Sequence, residues 1–306
     1  MKRLELLISE ARESTGQQRY DSDSGISQAL FVRYFKNAQD FLQKQIAIAK
    51  SKLLLVDEEQ SVVSGQELYS YPSDLFLHNI DTIEHRTGSG DEWTPLSKLV
   101  TKNRRETNGF AHGYITTKDG FLLSPPIDGG TLRVNYIKKL PALEKRAGYI
   151  SAITVSGGAI TAMTVNVAES SFDGTAINDQ YYLCIVDKHG DRKVKSVQYT
   201  SVNTSTGVFA LPSNHTLAST DSTPAVGDYI VLGEDSYNKP DLDDICESFL
   251  LKHVEYQVKY GDASTWSKEV LNDLNSSASG LFEAFARPSD DVIPIPITNF
   301  DYLDIG

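Results

Sequence analysis

Apolar residues recur every three or four positions in four segments of the chain, the spacing that gathers side chains on one face of a helix. The first segment is short, at about residues 3–14, and we expect it to be an arm rather than part of a core. The third runs from about 240 to 260 and the fourth from about 264 to 287. The second starts near Ser27 and has the longest apolar stripe: Phe31, Phe35, Ala38, Leu42, Ile46, Ala49 and Leu53. The sequence therefore predicts a helix over each of these four segments.

Between the two pairs of helices, apolar and polar residues alternate, which is typical of strands. Residues 114–143 contain Asp119-Gly120 and Asp128-Gly129-Gly130, residue types that supply the positive φ angles of tight turns. We expect this stretch to form one β-hairpin. Ahead of it, residues 80–85 are predicted to form a strand and residues 93–102 a short helix.

Residues 148–235 combine short β-prone segments with turn residues at regular intervals. This pattern favours a small antiparallel barrel or sandwich. The segment is rich in Ser, Thr, Asn and Asp and has no row of aromatic residues on which a sugar or base could stack, so we expect a scaffold or contact module. The predicted strands are Ile150 to Val155, Ala159 to Val165, Tyr181 to Val186, Lys193 to Thr200, Gly207 to Leu211 and Tyr229 to Leu232.

Together these segments predict an α+β fold with three parts. A helical bundle formed from the N- and C-terminal helices, together with the β-hairpin, would take residues 1–147 and 236–287. An inserted small antiparallel β-barrel or sandwich domain would take residues 148–235. Residues 288–306 would form an extended C-terminal tail.

The tail is apolar and is not expected to be helical. Pro294 and Pro296 lack the backbone N–H that a helix needs, and they alternate with branched apolar residues. An extended ribbon of this kind is suited to strand addition, and left unpaired it would promote aggregation; a frayed terminus is the alternative. The predicted partner-binding residues are Val292, Ile293, Ile295, Ile297, Phe300, Tyr302, Leu303 and Ile305.

The net charge of −12 comes from the second half of the chain. Residues 1–147 hold 20 Lys and Arg against 19 Asp and Glu, whereas residues 148–306 hold 9 against 22. An acidic surface repels phosphate groups, which argues against a nucleic-acid reader but would allow DNA to slide past. The only basic cluster is Lys102-Asn103-Arg104-Arg105, for which nucleic acid, water and a carboxylate partner all stay open.

The sequence does not indicate catalytic or metal-binding chemistry. Six histidines fall on separate predicted elements without the spacing of a zinc site, and His253 is expected at the edge of the apolar face of its helix. Cys184 and Cys246 fall in different elements, which predicts neither a disulfide framework nor a thiolate metal site. We therefore expect no enzymatic activity, no cofactor and no metal. No apolar run is long enough to span a membrane.

The order of several segments matches a known pattern. A loop to Gly25-Ile26-Ser27 precedes the long helix with Leu30-Phe31-Val32-Arg33-Tyr34-Phe35, which leads into Leu68-Tyr69-Ser70-Tyr71-Pro72-Ser73-Asp74. Then follow Leu123-Ser124-Pro125-Pro126, Leu132-Arg133-Val134-Asn135-Tyr136 and a helix with Asp244-Ile245-Cys246-Glu247-Ser248-Phe249. This arrangement resembles the head-to-tail adaptor (connector or neck) proteins of tailed bacteriophages, over about residues 1–147 and 236–287.

The resemblance implies a structural virion protein whose helical bundle assembles as a homo-oligomeric ring beneath the portal. It further implies a dodecamer matching the portal, a tail segment that binds the portal or a neighbouring subunit, and contacts with tail tube or nozzle proteins. DNA would leave through the lumen during ejection without sequence-specific binding. The protein would lie in the virion neck after assembly in the bacterial host cytoplasm, without a membrane. An alternative stays open: a tail or baseplate structural protein whose β-domain contacts carbohydrate or a host receptor.

Overall fold

The computed structural model describes residues 1–17, 26–49, 52–99, 113–166, 182–261 and 265–285. The α-helices in these ranges are α1 (Leu4–Ser14), α2 (Gln28–Ile48), α3 (Glu247–Tyr260) and α4 (Lys268–Phe285). Each corresponds to a predicted helix, although Leu53 lies beyond α2 in a short 3-10 turn, Lys52–Leu54. At the start of α2, Ser27 Oγ accepts a hydrogen bond from Leu30 N at 3.2 Å, which satisfies an amide that has no partner within the helix.

The four helices share one hydrophobic core. The fully buried positions of α2 are Phe31, Phe35, Ala38, Leu42 and Ile46, as its stripe predicts. The expectation that α1 is an arm is wrong, because four of its five apolar residues are buried against α2 and α3 together. Those residues of α1 are at most 4% exposed: Leu4, Leu7, Ile8 and Ala11.

Eight strands between α2 and the 148–235 segment form two sheets. They are β1 (Leu55–Ser61), β2 (Leu68–Ser70), β3 (Leu75–Arg86), β4 (Thr94–Pro95), β5 (Ser97–Lys98), β6 (Gly113–Thr116), β7 (Gly120–Ser124) and β8 (Thr131–Lys138). One sheet has the order β1-β8-β3-β4 and the other has the order β2-β7-β6-β5. Their buried side chains form a second hydrophobic cluster, which includes Tyr69, Phe121, Leu123, Leu132 and Val134.

The stretch 114–143 is not one hairpin. Strands β6 and β7 pair as a hairpin across residues 117–119, but β8 leaves for the other sheet and pairs with β1 and β3. The glycine-rich turn after β7 is real, since Gly129 and Gly130 have φ angles of 80° and 93°. Turn residues mark where the chain reverses, but they do not specify which strand the returning segment will join.

The predicted helix at residues 93–102 is also wrong over the part that is described. Residues 94–95 and 97–98 are the short strands β4 and β5. Between and after them, Leu96 N donates to Ile83 O at 2.7 Å and Leu99 N donates to Tyr114 O at 2.8 Å. Pairing with distant strands therefore overrides the local helical pattern.

The later strands build one open antiparallel sheet and a two-stranded ladder. The ladder joins β9 (Ala142–Leu143) to β18 (Ser236–Tyr237) in parallel. The sheet contains β10 (Arg146–Ser156), β11 (Ala159–Val165), β12 (Tyr182–Val186), β13 (Arg192–Gln198), β14 (Ser201–Val202), β15 (Val208–Ala210), β16 (His215–Thr216) and β17 (Tyr229–Leu232). Its order is β13-β12-β17-β10-β11-β15-β14, and β16 pairs with β11.

All six strands predicted in the 148–235 segment are present, with bounds shifted by at most a few residues. Gly157 and Gly158, at φ angles of 58° and 76°, form the predicted turn between β10 and β11. The described strands do not close into a barrel, because β13 and β14 remain at opposite ends of the sheet. Strand β10 links its two halves, pairing first with β17 and then with β11.

We predict that Gly120→Ala destabilises the protein by about 2 kcal/mol, the usual cost of overpacking. A Cβ atom at this position would lie 2.1 Å from Tyr69 O in the neighbouring strand, so the β2–β7 pairing would have to move. Urea unfolding of the purified variant measures the change. Gly90→Ala is the matched control, because a Cβ atom there meets nothing within 4 Å; equal effects at the two sites would contradict the assigned β2–β7 packing.

Candidate interaction surfaces

The predicted partner-binding residues of the tail lie outside the described residues, as does the basic cluster 102–105. Helix α4, the last described element, ends at Phe285. These two assignments therefore stay predictions. The described residues nevertheless form four features that bear on assembly: a polar joint, a charged sheet face, a cationic edge and a strained apolar projection.

The joint begins where the chain passes into and out of the eight-stranded sheet. Strands β9 and β18 lie side by side there, with Ser236 opposite Ala142 and Tyr237 opposite Leu143. Two further main-chain bonds extend the ladder, from Ala142 N to Asp235 O at 3.0 Å and from Glu144 N to Tyr237 O at 2.8 Å. The two ends of the 148–235 segment are thus held together.

Helix α1 closes this joint from the bundle side. Leu4 N donates to Asn238 O at 2.7 Å. The Asn238 side chain is completely buried, and its Nδ2 atom donates to Glu5 Oε1 at 2.9 Å and to Glu144 O at 3.2 Å. Because buried polar groups are costly to leave without partners, these bonds fix where α1 meets the ladder.

Two arginines extend the joint to the loop between β12 and β13. Arg146 Nη2 donates to Lys188 O at 2.8 Å and to Asp187 O at 3.2 Å, and Arg3 Nη1 donates to Lys188 O at 3.1 Å. The Arg146 guanidinium also lies 3.8 Å from the Tyr229 ring centre. These hydrogen bonds connect the bundle and the sheet by specific directional contacts as well as by the chain itself. Burial lowers the pKa of Arg146.

The charged sheet face lies on β1, β3 and β8. Trp93 contacts the guanidinium carbons of Arg86 at 4.3 Å and Arg133 at 4.0 Å. Glu59 pairs with both arginines, at 3.0 Å and 3.4 Å respectively. Further carboxylates approach Arg133 from Asp57 and Glu84, at 3.9 Å and 3.7 Å. Since each arginine here is matched by acids, the described residues of this face have no basic excess with which to hold a phosphate backbone.

The cationic edge is strand β13, and its charges are paired as well. Arg192 and Lys195 contact Asp235 at 2.5 Å and 3.1 Å, and Lys193 contacts Asp228 at 2.9 Å. The strand is also partly covered, because Ser222 N donates to Lys193 O at 2.9 Å. The positive charges of β13 therefore neutralise acids of the same sheet.

The strained apolar projection is a bulge in β3. Leu77 and His78 have φ angles of 48° and 55°, left-handed values that cost about 1–2 kcal/mol per residue for side chains other than glycine. Asn79 Nδ2 donates to Ala47 O at 3.2 Å, which ties the bulge to the end of α2. Leu77 is 70% exposed and Ile48 of α2 is 60% exposed. The bulge and the helix end together present apolar surface to solvent.

The sequence suggested that His253 lies at the edge of its helix face, but this residue lies inside the bundle. It is 1% exposed, and its ring lies 5.2 Å from Phe41 and 5.0 Å from Trp266. Burial lowers its pKa to about 4. The expectation fails because the apolar pattern of α3 does not reveal that neighbouring elements cover both sides of the stripe.

Both cysteines are free and buried, in agreement with the absence of a disulfide framework. Within the described ranges, no group of three or more His, Cys, Asp and Glu side chains is placed to hold a metal ion. None of the helices in those ranges is both long enough and apolar enough to cross a membrane.

Comparison with known protein families shows which family this chain belongs to. A model of the SU10 adaptor protein family matches residues 2–158, half of the chain. The chain belongs to the SU10 adaptor protein family. This confirms the resemblance to phage head-to-tail adaptors. The SU10 adaptor match covers α1, α2, both four-stranded sheets and β9, and it ends in the turn between β10 and β11.

A search of curated proteins finds no match to the chain. The SU10 adaptor assignment therefore rests on the first half, whereas α3, α4 and most of the eight-stranded sheet lie beyond the matched residues. The joint crosses this limit: Glu5 and Arg146 lie inside the match, and Asn238 lies outside it. Contacts made by both sides of the limit hold the SU10 adaptor core to the rest of the chain.

We predict that Asn238→Ala lowers the free energy of unfolding by about 2 kcal/mol, because it removes a buried, charge-assisted hydrogen bond to Glu5 and a bond to Glu144 O. Urea unfolding measures the loss. Lys239→Ala is the control, since the neighbouring Lys239 side chain makes an ion pair with the exposed Asp191 and should cost less than about 1 kcal/mol. Similar losses in both variants would contradict the role assigned to Asn238.

A second prediction concerns pH. Because the folded pKa of His253 is about 4 and the unfolded value is about 6.5, the unfolded chain binds more protons between these values. The contribution of neutral His253 to the free energy of unfolding is fully present above pH 6.5 and is lost as the pH falls towards 4. Between pH 7 and pH 5, wild type should lose about 2 kcal/mol more than His253→Leu. Urea unfolding at several pH values measures this; parallel profiles would show that His253 titrates normally.

Proposed function

We propose that this protein is a head-to-tail adaptor that forms a ring between the portal and the tail of a phage particle. Membership of the SU10 adaptor family is the observation that carries this proposal. The ring would contain twelve copies to match the portal, would contact tail tube or nozzle proteins on its other side, and would form part of the DNA exit channel. It would assemble in the host cytoplasm and stay in the virion neck.

The charges of the chain support passage of DNA rather than its capture. The described arginines and lysines of the β1–β8 face and of β13 are paired with carboxylates. The remaining excess is negative, with 9 Lys and Arg against 22 Asp and Glu in residues 148–306. A lumen lined by part of this acidic surface would not bind the phosphate backbone, so DNA could move through it without specific contacts.

The architecture supports separate roles for three segments of the chain. Residues 1–147 and 236–287 would form the ring-building core, and residues 148–235 would be an inserted contact module held by the β9–β18 ladder. The exposed apolar surface of Leu77 and Ile48 is suited to contact between ring subunits. The tail, 288–306, would bind the portal or a neighbouring subunit through its apolar residues.

Mixing the purified protein with the cognate portal tests the ring. We expect a complex whose mass corresponds to one ring of adaptors per portal, and a ring-shaped particle by negative-stain electron microscopy. A trimer that does not bind the portal but binds host cells would contradict the proposal. Such a result would favour a tail or baseplate protein that contacts a receptor.

The tail has its own test. Replacing Ile293, Ile295 and Ile297 together by Ser, or deleting residues 288–306, should weaken portal binding at least about 100-fold, which corresponds to about 2.7 kcal/mol, because apolar surface would no longer be buried. Thr298→Ala is the control and should bind as wild type does. Titration of labelled portal measures the affinity, and undiminished binding by the deletion variant would remove the tail from the proposal while leaving the ring intact.

A further inference from the structure

Strand β1 presents an uncovered edge. It pairs with β8 along its whole length, from Leu55 opposite Ile137 to Ser61 opposite Thr131, and it is the terminal strand of its sheet. In the described part of the chain, no hydrogen bond occupies its outer side. Unpaired N–H and C=O groups along such an edge form a template for another strand.

The other sheet ends are less suitable. Strand β13 has the same length as β1, but Ser222 covers part of it and Ser196 bends it with a φ angle of 56°. The terminal strands β2, β4, β5 and β14 contain three residues or fewer. Strand β1 is thus the described edge best able to accept a strand of about six residues.

The charges of β1 restrict what it can accept. Asp57, Glu58 and Glu59 are consecutive, and β1 contains no Lys or Arg. Pairing of two β1 edges from separate copies would bring six carboxylates together, and like charges opposite one another are destabilising. An uncharged strand avoids this repulsion. Residues 292–297, Val-Ile-Pro-Ile-Pro-Ile, have no charge.

The prolines in this segment leave one edge able to pair. In an extended strand, the N–H and C=O groups of alternate residues point to the same side. Ile293, Ile295 and Ile297 would therefore offer donors and acceptors along one edge, whereas Pro294 and Pro296, on the other edge, have no N–H. Such a strand can join a sheet once and then blocks the addition of a further strand.

Helix α4, the last described element before this segment, packs beside the start of β1. Helices α3 and α4 run antiparallel, with Lys252 beside Ser277 and Tyr256 beside Asp273, so the C-terminal end of α4 approaches the start of α3. Helix α4 also packs against the 3-10 turn that precedes β1. The six residues 286–291 can span roughly 20 Å when extended.

A groove with a mixed apolar and charged lining lies at the beginning of β1. Its apolar lining residues are Leu53, Leu54, Val56 and Leu242. Its charged lining residues are Lys52, Lys138, Asp241 and Asp243. Because Ile293, Ile295 and Ile297 would project from one face of an added strand, an isoleucine at the end of that strand could occupy the groove.

We propose that residues 292–297 add as a strand to the outer edge of β1 in the same chain when the subunit is unassembled. A tethered segment has an effective concentration of order millimolar, which favours its own edge over that of a second copy in dilute protein. If the tail binds the portal, a step that rests on the function proposed above, it must first leave β1. The docked tail would then shield an aggregation-prone edge until assembly.

Hydrogen exchange of the isolated protein tests this without a portal or a ring. Ile295→Pro removes a donor from the pairing edge, so the amides of residues 55–61 that face away from β8 should exchange about tenfold faster than in wild type. Pro294→Ala is the matched control, because it alters only the other edge and should leave exchange unchanged. Identical exchange of β1 in wild type and Ile295→Pro would overturn the proposal.

Protein concentration separates the tail of the same chain from that of a second copy. Protection of β1 that stays constant over a hundredfold dilution supports docking within one chain. Protection that is lost on dilution would show that the strand comes from another copy and would overturn the assignment. Neither result depends on portal binding, so failure of this proposal and failure of the adaptor function are distinguishable.

Discussion

The parallel ladder between β9 and β18 is the constraint on which the arrangement of the molecule depends. It brings residues that lie more than ninety positions apart in sequence into hydrogen-bonded register, with Ser236 opposite Ala142. The chain can therefore leave the bundle, form the eight-stranded sheet and return at nearly the same place. Without this ladder, α3 and α4 would not be positioned to complete the core begun by α1 and α2. Asn238, which follows the ladder, then joins it to α1 through Glu5.

Ion pairs between cations and carboxylates determine the charge of the described sheet surfaces. The described arginines of the β1–β8 face and the cations of β13 are each engaged by carboxylates. These pairs are worth little individually in solvent, yet together they leave the described surfaces of the β1–β8 face and of β13 without a strong positive field. In the proposed ring, DNA would pass through the channel, and weak interaction with phosphates would be an advantage because a tightly bound backbone would slow its exit.

The sequence predicts structure best where the signal is local. The stripe of α2 is confirmed from Phe31 to Ile46, and Gly157 and Gly158 form the expected turn. The misplaced features all depend on distant partners. Strand β8 follows a turn that any antiparallel neighbour could use, and residues 94–98 become strands only because β3 and β6 lie beside them. The burial of α1 and His253 likewise depends on helices that a periodic pattern cannot position. The joint at Asn238 gives no sequence signal, since one asparagine and one glutamate far apart do not form a motif.

In the function proposed above, this SU10 adaptor family member joins the portal to the tail as a ring. Cryo-electron microscopy of intact phage particles tests it most directly, because the subunit fold can be placed in the density of the neck. We expect a ring of twelve subunits beneath the portal, with the four-helix core building the ring and a channel through its centre. Finding the protein instead as a peripheral tail or baseplate component, away from the portal and from the path of the DNA, would contradict it.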